Sequence, residues 1–223
     1  MRAPRPAWLD RVVENAAGHD LSPFSEFVPP NETERASAVL MLFGPRAASE
    51  GGGEDVVLTA RSRDLRAHPG QVSFPGGRID PGDAGPVDAA LREAQEEVGV
   101  DPASVEVVGT LPALYMAPTG NAVTPVLAWW PEPGQVRVVD PAEVERVERV
   151  PVTELVDPGR RFTVVHPVGY RGAGFEAGGL FVWGFTALLL GTVLDLGGVA
   201  REWDASVERP IPEDVMSAWM RDD

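Results

Sequence analysis

Three glutamates lie within five positions of the segment LREAQEEVGV, which spans residues 91–100. In a helix, Glu93, Glu96 and Glu97 would share one face, and like charges at this spacing destabilise the helix by roughly a few tenths of a kcal/mol per pair. Carboxylates that converge on one point suit a hard divalent cation such as Mg²⁺, which would remove the repulsion. The alternative is an acidic helix face in contact with water, and the segment alone does not decide between them.

The sequence around these acids predicts the elements that hold them. Residues 87–98 carry apolar side chains at helical spacing, Pro86 suits the first turn, and Gly99 suits the left-handed position after the helix end. Upstream, FPGG at residues 74–77 predicts a short strand that ends in a double glycine. There the backbone can turn sharply and leave a carbonyl free to face a ligand. Loop and helix can therefore enclose one site.

The remaining apolar runs predict a mixed α/β or α+β sandwich, because strands and helices follow one another along the chain. Strands are predicted at residues 36–43, 56–61, 71–77, 105–111, 121–130 and 161–168. A short helical piece is predicted at residues 8–16, residues 142–155 alternate and then resemble a short helix, and an apolar helix is predicted from about Phe181 to Leu196.

The composition excludes several functional classes. The chain is 43% hydrophobic, which suffices for a core, and its net charge of −15 disfavours non-specific binding to nucleic acid or anionic membranes. There is no Cys, so disulfides and thiolate metal sites are excluded. His68 and His166 show no ligand spacing and are expected to take no part. The N-terminal residues contain no apolar signal region, which predicts a cytoplasmic protein.

One uncharged stretch, residues 177–194, reaches the lower length limit of a membrane-spanning helix. Gly178, Gly179 and Gly184 lie early in it, and no basic cluster flanks it. A buried helix is therefore the prediction, and a membrane anchor is the rival interpretation.

The acidic segment resembles the second half of the signature of the Nudix hydrolases, R-E-U-x-E-E-x-G-U, in which U is a bulky aliphatic residue. Residues 92–100 match it, and only Ala94 is small for its position. The first half of the signature departs from the family pattern. The expected Glu position after Gly77 holds Asp83, and the spacer that leads to Arg92 is one residue longer than usual.

Upstream, LTARSRDLRAHPGQVSFPGG at residues 58–77 resembles the additional signature of the coenzyme A pyrophosphatase branch, L-T-x-R-S-x3-R-x3-G-x3-F-P-G-G. That branch commonly carries a D-P-x-D loop with the longer spacer, as at residues 80–83. The resemblance covers about residues 35–195 and implies a Nudix-type α/β/α sandwich with a mixed sheet. The expected organisation is a leader (1–34), a Nudix domain (35–198) and a C-terminal tail packed on the domain (199–223).

The resemblance implies a Mg²⁺ or Mn²⁺ site that polarises a phosphoryl oxygen and helps to generate a hydroxide-like nucleophile. The expected metal ligands are Glu93, Glu96, Glu97 and the carbonyl of Gly77. The expected catalytic residues are Glu93, Glu97, Arg92 and Glu143. Arg92 would pair with an acid and orient Glu93, and the general base is either Glu93 or Glu143.

Arg61 and Arg66 are the expected phosphate contacts, since a guanidinium group binds phosphate in a bidentate manner. The implied reaction is hydrolysis of the diphosphate of coenzyme A or an acyl-CoA to 3′,5′-ADP and 4′-phosphopantetheine or its acylated form. The expected partner is this small molecule, without nucleic acid or membrane, and the protein is expected to be a monomer or homodimer. Two rival functions are a Nudix hydrolase of another nucleoside diphosphate derivative, such as ADP-ribose or NADH, and a non-catalytic ligand-binding Nudix domain.

Overall fold

The computed structural model of the protein describes residues 2–18, 35–65, 68–116, 120–166, 169–213 and 215–216. The helices are α1 (Ala7–Gly18), α2 (Pro86–Val98), α3 (Val152–Leu155) and α4 (Gly184–Leu196). The strands are β1 (Arg35–Pro45), β2 (Glu54–Arg61), β3 (Val72–Ser73), β4 (Gly76–Arg78), β5 (Glu106–Thr110), β6 (Leu114–Met116), β7 (Asn121–Trp129), β8 (Val144–Pro151), β9 (Arg161–Val165), β10 (Arg171–Ala177), β11 (Leu180–Val182) and β12 (Glu208–Pro210).

Strand β1 lies at the centre of the larger sheet. It pairs in parallel with β7 along nine residues, from Arg35 to Phe43, and antiparallel with β2 and β4. The strand order is β3-β2-β1-β7-β5, with β4 on β1, β6 on β7 and β8 on β2. A smaller sheet has the order β11-β10-β9-β12. The larger sheet is therefore mixed, as the sequence predicted.

Successive side chains of β1 enter two different apolar layers, because a strand alternates its side chains between the faces of a sheet. Leu40 and Leu42 pack with the apolar residues of α2, whereas Met41 and Phe43 pack with those of α1 and α4. All four side chains are fully buried. Helices thus cover both faces of the sheet, and the predicted α/β/α sandwich is confirmed.

The predicted start of the apolar helix was wrong. Phe181 and Val182 belong to β11, which pairs with β10, and α4 begins at Gly184, whose φ of 63° separates strand from helix. A continuous apolar run has no periodicity that distinguishes a buried strand from a buried helix. α4 has 13 residues, and no helix within the described ranges is long and apolar enough to cross a membrane.

Helix α1 joins the N-terminal segment to the core. The ring of Trp8 meets that of Phe43 edge-on, with 5.1 Å between their centroids. The guanidinium of Arg11 donates hydrogen bonds of 2.8 and 3.0 Å to the carbonyl of Gly197, at the end of α4. In the C-terminal segment, β12 adds a parallel strand to β9. The predicted boundaries of leader, domain and tail stay predictions, but both end segments contribute secondary structure to the fold.

Replacing Trp8 with Ala is expected to lower the free energy of unfolding by about 3–5 kcal/mol, because the loss of a large buried ring leaves a cavity. Trp8 is 7% exposed, whereas Val107 is 38% exposed, which makes Val107→Ala a control. The control is expected to change the free energy by less than about 0.5 kcal/mol. Urea unfolding followed by circular dichroism measures both, and a wild-type midpoint for Trp8→Ala would contradict the role of α1.

Candidate active site

Helix α2 places the acidic segment against the sheet. Pro86 occupies its first turn, and Gly99 follows its end with a φ of 75° and donates its N–H to the carbonyl of Gln95. Ala94 and Val98 are fully buried on the face that packs against the sheet. This apolar stripe fixes the rotation of the helix, and Glu93 and Glu97, on a neighbouring face, meet β4.

Three carboxylates converge beside β4. One oxygen from each of Glu93, Glu97 and Glu143 lies within 4.8 Å of the other two. Burial raises the pKa of Glu97 to about 8, although this carboxylate accepts a hydrogen bond of 3.1 Å from the N–H of Gly76. Burial also raises the pKa of Glu93, against the opposing effect of its hydrogen bond from Arg92. The cluster is therefore short of positive charge.

Two glycines allow β4 to approach these acids closely. A Cβ atom at Gly77 would lie 2.5 Å from the carboxyl carbon of Glu93, so any side chain there would displace the acid. At Gly76, whose φ is 154°, a Cβ atom would lie 2.3 Å from the carbonyl oxygen of Ala38 on β1. Backbone atoms thus require glycine at Gly76, whereas a side chain at Gly77 would move the carboxylate of Glu93. Coordination of a metal by the carbonyl of Gly77 stays a prediction.

Arg92 ties the loop before α2 to the acidic helix face. Its Nε and Nη2 donate to the two carboxylate oxygens of Asp83, at 3.0 Å each. Its Nη1 donates to Glu93 at 3.0 Å and to Glu96 at 2.9 Å. The hydrogen bond from Arg92 lowers the pKa of Asp83, and Asp83 in turn raises the pKa of Arg92. Asp83, in the position where the family signature has Glu, is the main partner of Arg92.

Glu96 and Glu143 occupy different environments. Glu96 is not part of the converging group: its side chain is 58% exposed, and its carboxylate lies on Arg92. Glu143 joins the group from the turn before β8, which pairs with β2. The N–H of Ser62 donates to the carbonyl of Glu143 at 2.8 Å and holds this turn at the end of β2. Metal coordination by Glu96 therefore stays a prediction.

A cavity of about 340 Å³ opens beside the acids. Arg61 lines it and exerts a Coulombic effect that lowers the pKa of Glu97. The Nε atom of Arg61 is buried and has no hydrogen-bond partner among the described residues. Thr186 of α4 also lines the cavity, and its buried hydroxyl donates to the carbonyl of Val72, another lining residue, at 2.8 Å. The guanidinium of Arg61 therefore lies in the wall of the cavity, next to the acidic cluster.

Sequence reasoning missed part of this cavity. Arg66 lies outside the described residues, so its predicted phosphate contact is not addressed. His68, expected to take no part, lines the cavity with a left-handed φ of 56°. Arg35 and Arg78 also line it and were not predicted. The position of Arg35 could have been predicted from the sequence, because every second residue of β1 faces the same side of the sheet.

The donor set fits a hard divalent cation. Glu93, Glu97 and Glu143 offer oxygen ligands only, which Mg²⁺ and Mn²⁺ prefer. A cation bound among them would also supply the positive charge that the buried carboxylate of Glu97 lacks. The acidic cluster thus supports the prediction of a divalent metal, and which metal binds stays a prediction.

Comparison with known proteins identifies the family. A family model described as the NUDIX domain matches residues 27–166, which is more than half of the chain. The chain therefore belongs to the Nudix family and is a hydrolase of the class that acts on the pyrophosphate bond of nucleoside diphosphate derivatives. The predicted family is confirmed.

Named relatives agree with this assignment. The chain is 41% identical over 160 residues to a Citrobacter koseri protein named Uncharacterized Nudix hydrolase NudL, and the match covers 69% of this chain and 78% of that protein. An Escherichia coli protein of the same name is 42% identical over 139 residues, which cover 59% of this chain and 69% of the relative. Among solved structures, the Nudix hydrolase RenU from M. smegmatis shares the fold, with a TM-score of 0.54 and 17% identity over 80% of this chain and 97% of that chain.

The raised pKa of Glu97 predicts how the stability of the metal-free protein depends on pH. Because the folded state holds this proton up to about pH 8 and the unfolded state releases it near pH 4.5, stability falls as pH rises between these values. The slope is on the order of 1.4 kcal/mol per pH unit. Glu97→Gln removes this ionisation, so the variant is expected to melt above wild type at pH 8 and close to it near pH 5.

Thermal unfolding in the presence of a chelator measures this difference. Glu14→Gln, on the exposed face of α1, removes the same charge and is the matched control. The control is expected to follow the wild-type pH dependence. Parallel curves for wild type and Glu97→Gln would contradict a raised pKa at this position.

Proposed function

We propose that the protein hydrolyses the diphosphate of coenzyme A or an acyl-CoA in the presence of Mg²⁺ or Mn²⁺. The observation that carries this proposal is the location of residues 58–77, the segment that resembles the CoA pyrophosphatase signature. It contributes a large part of the cavity wall, namely Arg61, His68, Gln71, Val72, Ser73, Phe74, Gly76 and Gly77. The segment that suggests the substrate therefore lies where a substrate beside the acidic cluster would touch it.

In the proposed reaction, water attacks one phosphorus atom of the diphosphate and the bridging P–O bond breaks. The products are 3′,5′-ADP and 4′-phosphopantetheine or its acylated form. Glu93, Glu97 and Glu143 would hold the metal, with Glu96 and the carbonyl of Gly77 as further candidate ligands. The metal, when bound, stabilises negative charge on the phosphoryl oxygens. Arg61, together with Arg66, would hold the diphosphate.

Glu143 is the better candidate for the general base. The carboxylate of Glu93 accepts a hydrogen bond from Arg92, and that of Glu97 accepts one from the N–H of Gly76. Glu143 is exposed, and its carboxylate forms no hydrogen bond or ion pair with the described residues. If one of its oxygens binds the metal, the other is still available to take a proton from an attacking water. Arg92 has the separate task of holding Glu93 in position.

Product analysis tests the substrate. The protein is incubated with Mg²⁺ or Mn²⁺ and with CoA, acyl-CoAs, ADP-ribose, NADH or dNTPs, and the products are separated by chromatography. We expect 3′,5′-ADP from a CoA species and no product when a chelator replaces the metal. Turnover of ADP-ribose or NADH without release of 3′,5′-ADP from any CoA species would contradict the proposed substrate.

A pair of glutamate variants tests the site. Glu97→Gln is expected to lower kcat by about a hundredfold or more, the scale seen when a group that stabilises transition-state charge is lost. Glu145→Gln changes a neighbour of Glu143 that is 51% exposed and pairs with Arg63, and it is expected to retain wild-type kcat. Undiminished turnover by Glu97→Gln would contradict the assignment of this acid to the metal site.

A further inference from the structure

The arginines that line the cavity differ from most others in the described chain. Arg92, Arg149 and Arg209, for example, form salt bridges, as expected in a protein with 34 acidic residues. Arg35, Arg61 and Arg78 form no salt bridge and no side-chain hydrogen bond with any described residue. Three guanidinium groups for which the described residues provide no acceptor therefore line one cavity, which favours an anionic ligand.

The strand register orders these charges in space. Val39 pairs with Gly76, and Ser37 pairs with Arg78, two residues further from the acids. Arg35 lies two residues beyond Ser37 on the same face of β1. At about 3.3 Å per residue, Arg78 is about 7 Å and Arg35 about 13 Å along the strand from the level of Gly76. Since Gly76 donates to Glu97, these arginines extend from the acidic cluster toward the far end of the cavity.

Arg61 has a different position from this pair. The charge of Arg61 lowers the pKa of Glu97, so this arginine lies near the acidic cluster. Arg61 is therefore placed to contact a ligand group that the cluster holds. Ser37, Asn121 and Val123 line the cavity at the level of the pair, since Ser37 pairs with Arg78 and with Val123, and Asn121 pairs with Arg35. The amide of Asn121 donates to the hydroxyl of Ser37 at 3.0 Å, so these two neighbours of the arginines are neutral. Arg61 on β2 and the pair on β1 and β4 thus bring positive charge to the cavity from different strands.

We propose that Arg35 and Arg78 form a subsite for a phosphomonoester group that the substrate carries in addition to its diphosphate. The inference rests on the proposed function, in which this group is the 3′-phosphate of the nucleotide half of coenzyme A. A guanidinium matches phosphate in charge and geometry, and two of them can bind one dianion. The subsite would distinguish CoA from nucleoside diphosphate derivatives that lack a 3′-phosphate.

Steady-state kinetics with CoA and 3′-dephospho-CoA test the subsite. Arg35→Gln and Arg78→Gln are each expected to raise KM for CoA about tenfold or more, the scale of one lost charge-assisted hydrogen bond. The kcat/KM for 3′-dephospho-CoA is expected to stay within about twofold of wild type, since that substrate lacks the group. Arg137→Gln is the matched control, because Arg137 also forms no salt bridge with a described residue but does not line the cavity.

Equal losses on both substrates, or no loss on either, would overturn the subsite. A binding experiment separates this inference from the proposed reaction. Calorimetric titration of wild type with 3′,5′-ADP and with AMP is expected to give tighter binding of 3′,5′-ADP, and both variants are expected to lose that preference. If wild type cleaves no CoA species yet shows the preference, the reaction is wrong and the subsite stands; equal affinities for the two nucleotides would overturn the subsite whatever the turnover.

Discussion

The structure depends on the burial of one carboxylate. Glu97 lies at the junction of α2 and β4 with 3% of its surface exposed, and it has two other acids within 4.8 Å. Several neighbouring features reduce the cost of this arrangement. The apolar stripe of α2 anchors the helix, the N–H of Gly76 donates to the acid, and Arg61 adds a positive charge nearby. A bound cation would complete the compensation, so an acid that is costly to bury is also well placed to hold a metal.

The pair of Asp83 and Arg92 combines two departures from the family signature. Asp is one methylene shorter than Glu, and the spacer between this position and Arg92 is one residue longer. Asp83 lies in a turn, in which its N–H donates to the carbonyl of Asp80 at 3.0 Å. From this turn both carboxylate oxygens of Asp83 accept hydrogen bonds from Arg92, so the shorter acid forms a bidentate contact with the guanidinium.

The sequence predicted features that local chemistry determines. Pro86, Gly99 and the apolar stripe between them predicted α2, and the continuous apolar run at residues 36–43 predicted the buried strand β1. Features that depend on the pairing of strands far apart in the sequence were harder to predict from the sequence. That Glu143 rather than Glu96 completes the converging group follows from the register of β8 on β2, which no local pattern encodes. Arg78 likewise reaches the cavity only because β4 pairs with β1.

The hydrogen bond between Thr186 and Val72 indicates how far along the chain the residues that form the cavity extend. The family match stops at residue 166, yet Phe185 and Thr186 line the cavity, and the threonine hydroxyl donates to the carbonyl of Val72 on β3, which also lines it. A fragment cut at the family boundary would keep Glu93, Glu97 and Glu143 and lose Phe185 and Thr186 from the cavity lining. The acidic cluster and the cavity beside it therefore have different borders along the chain, so a shortened chain would keep the converging acids without the complete cavity.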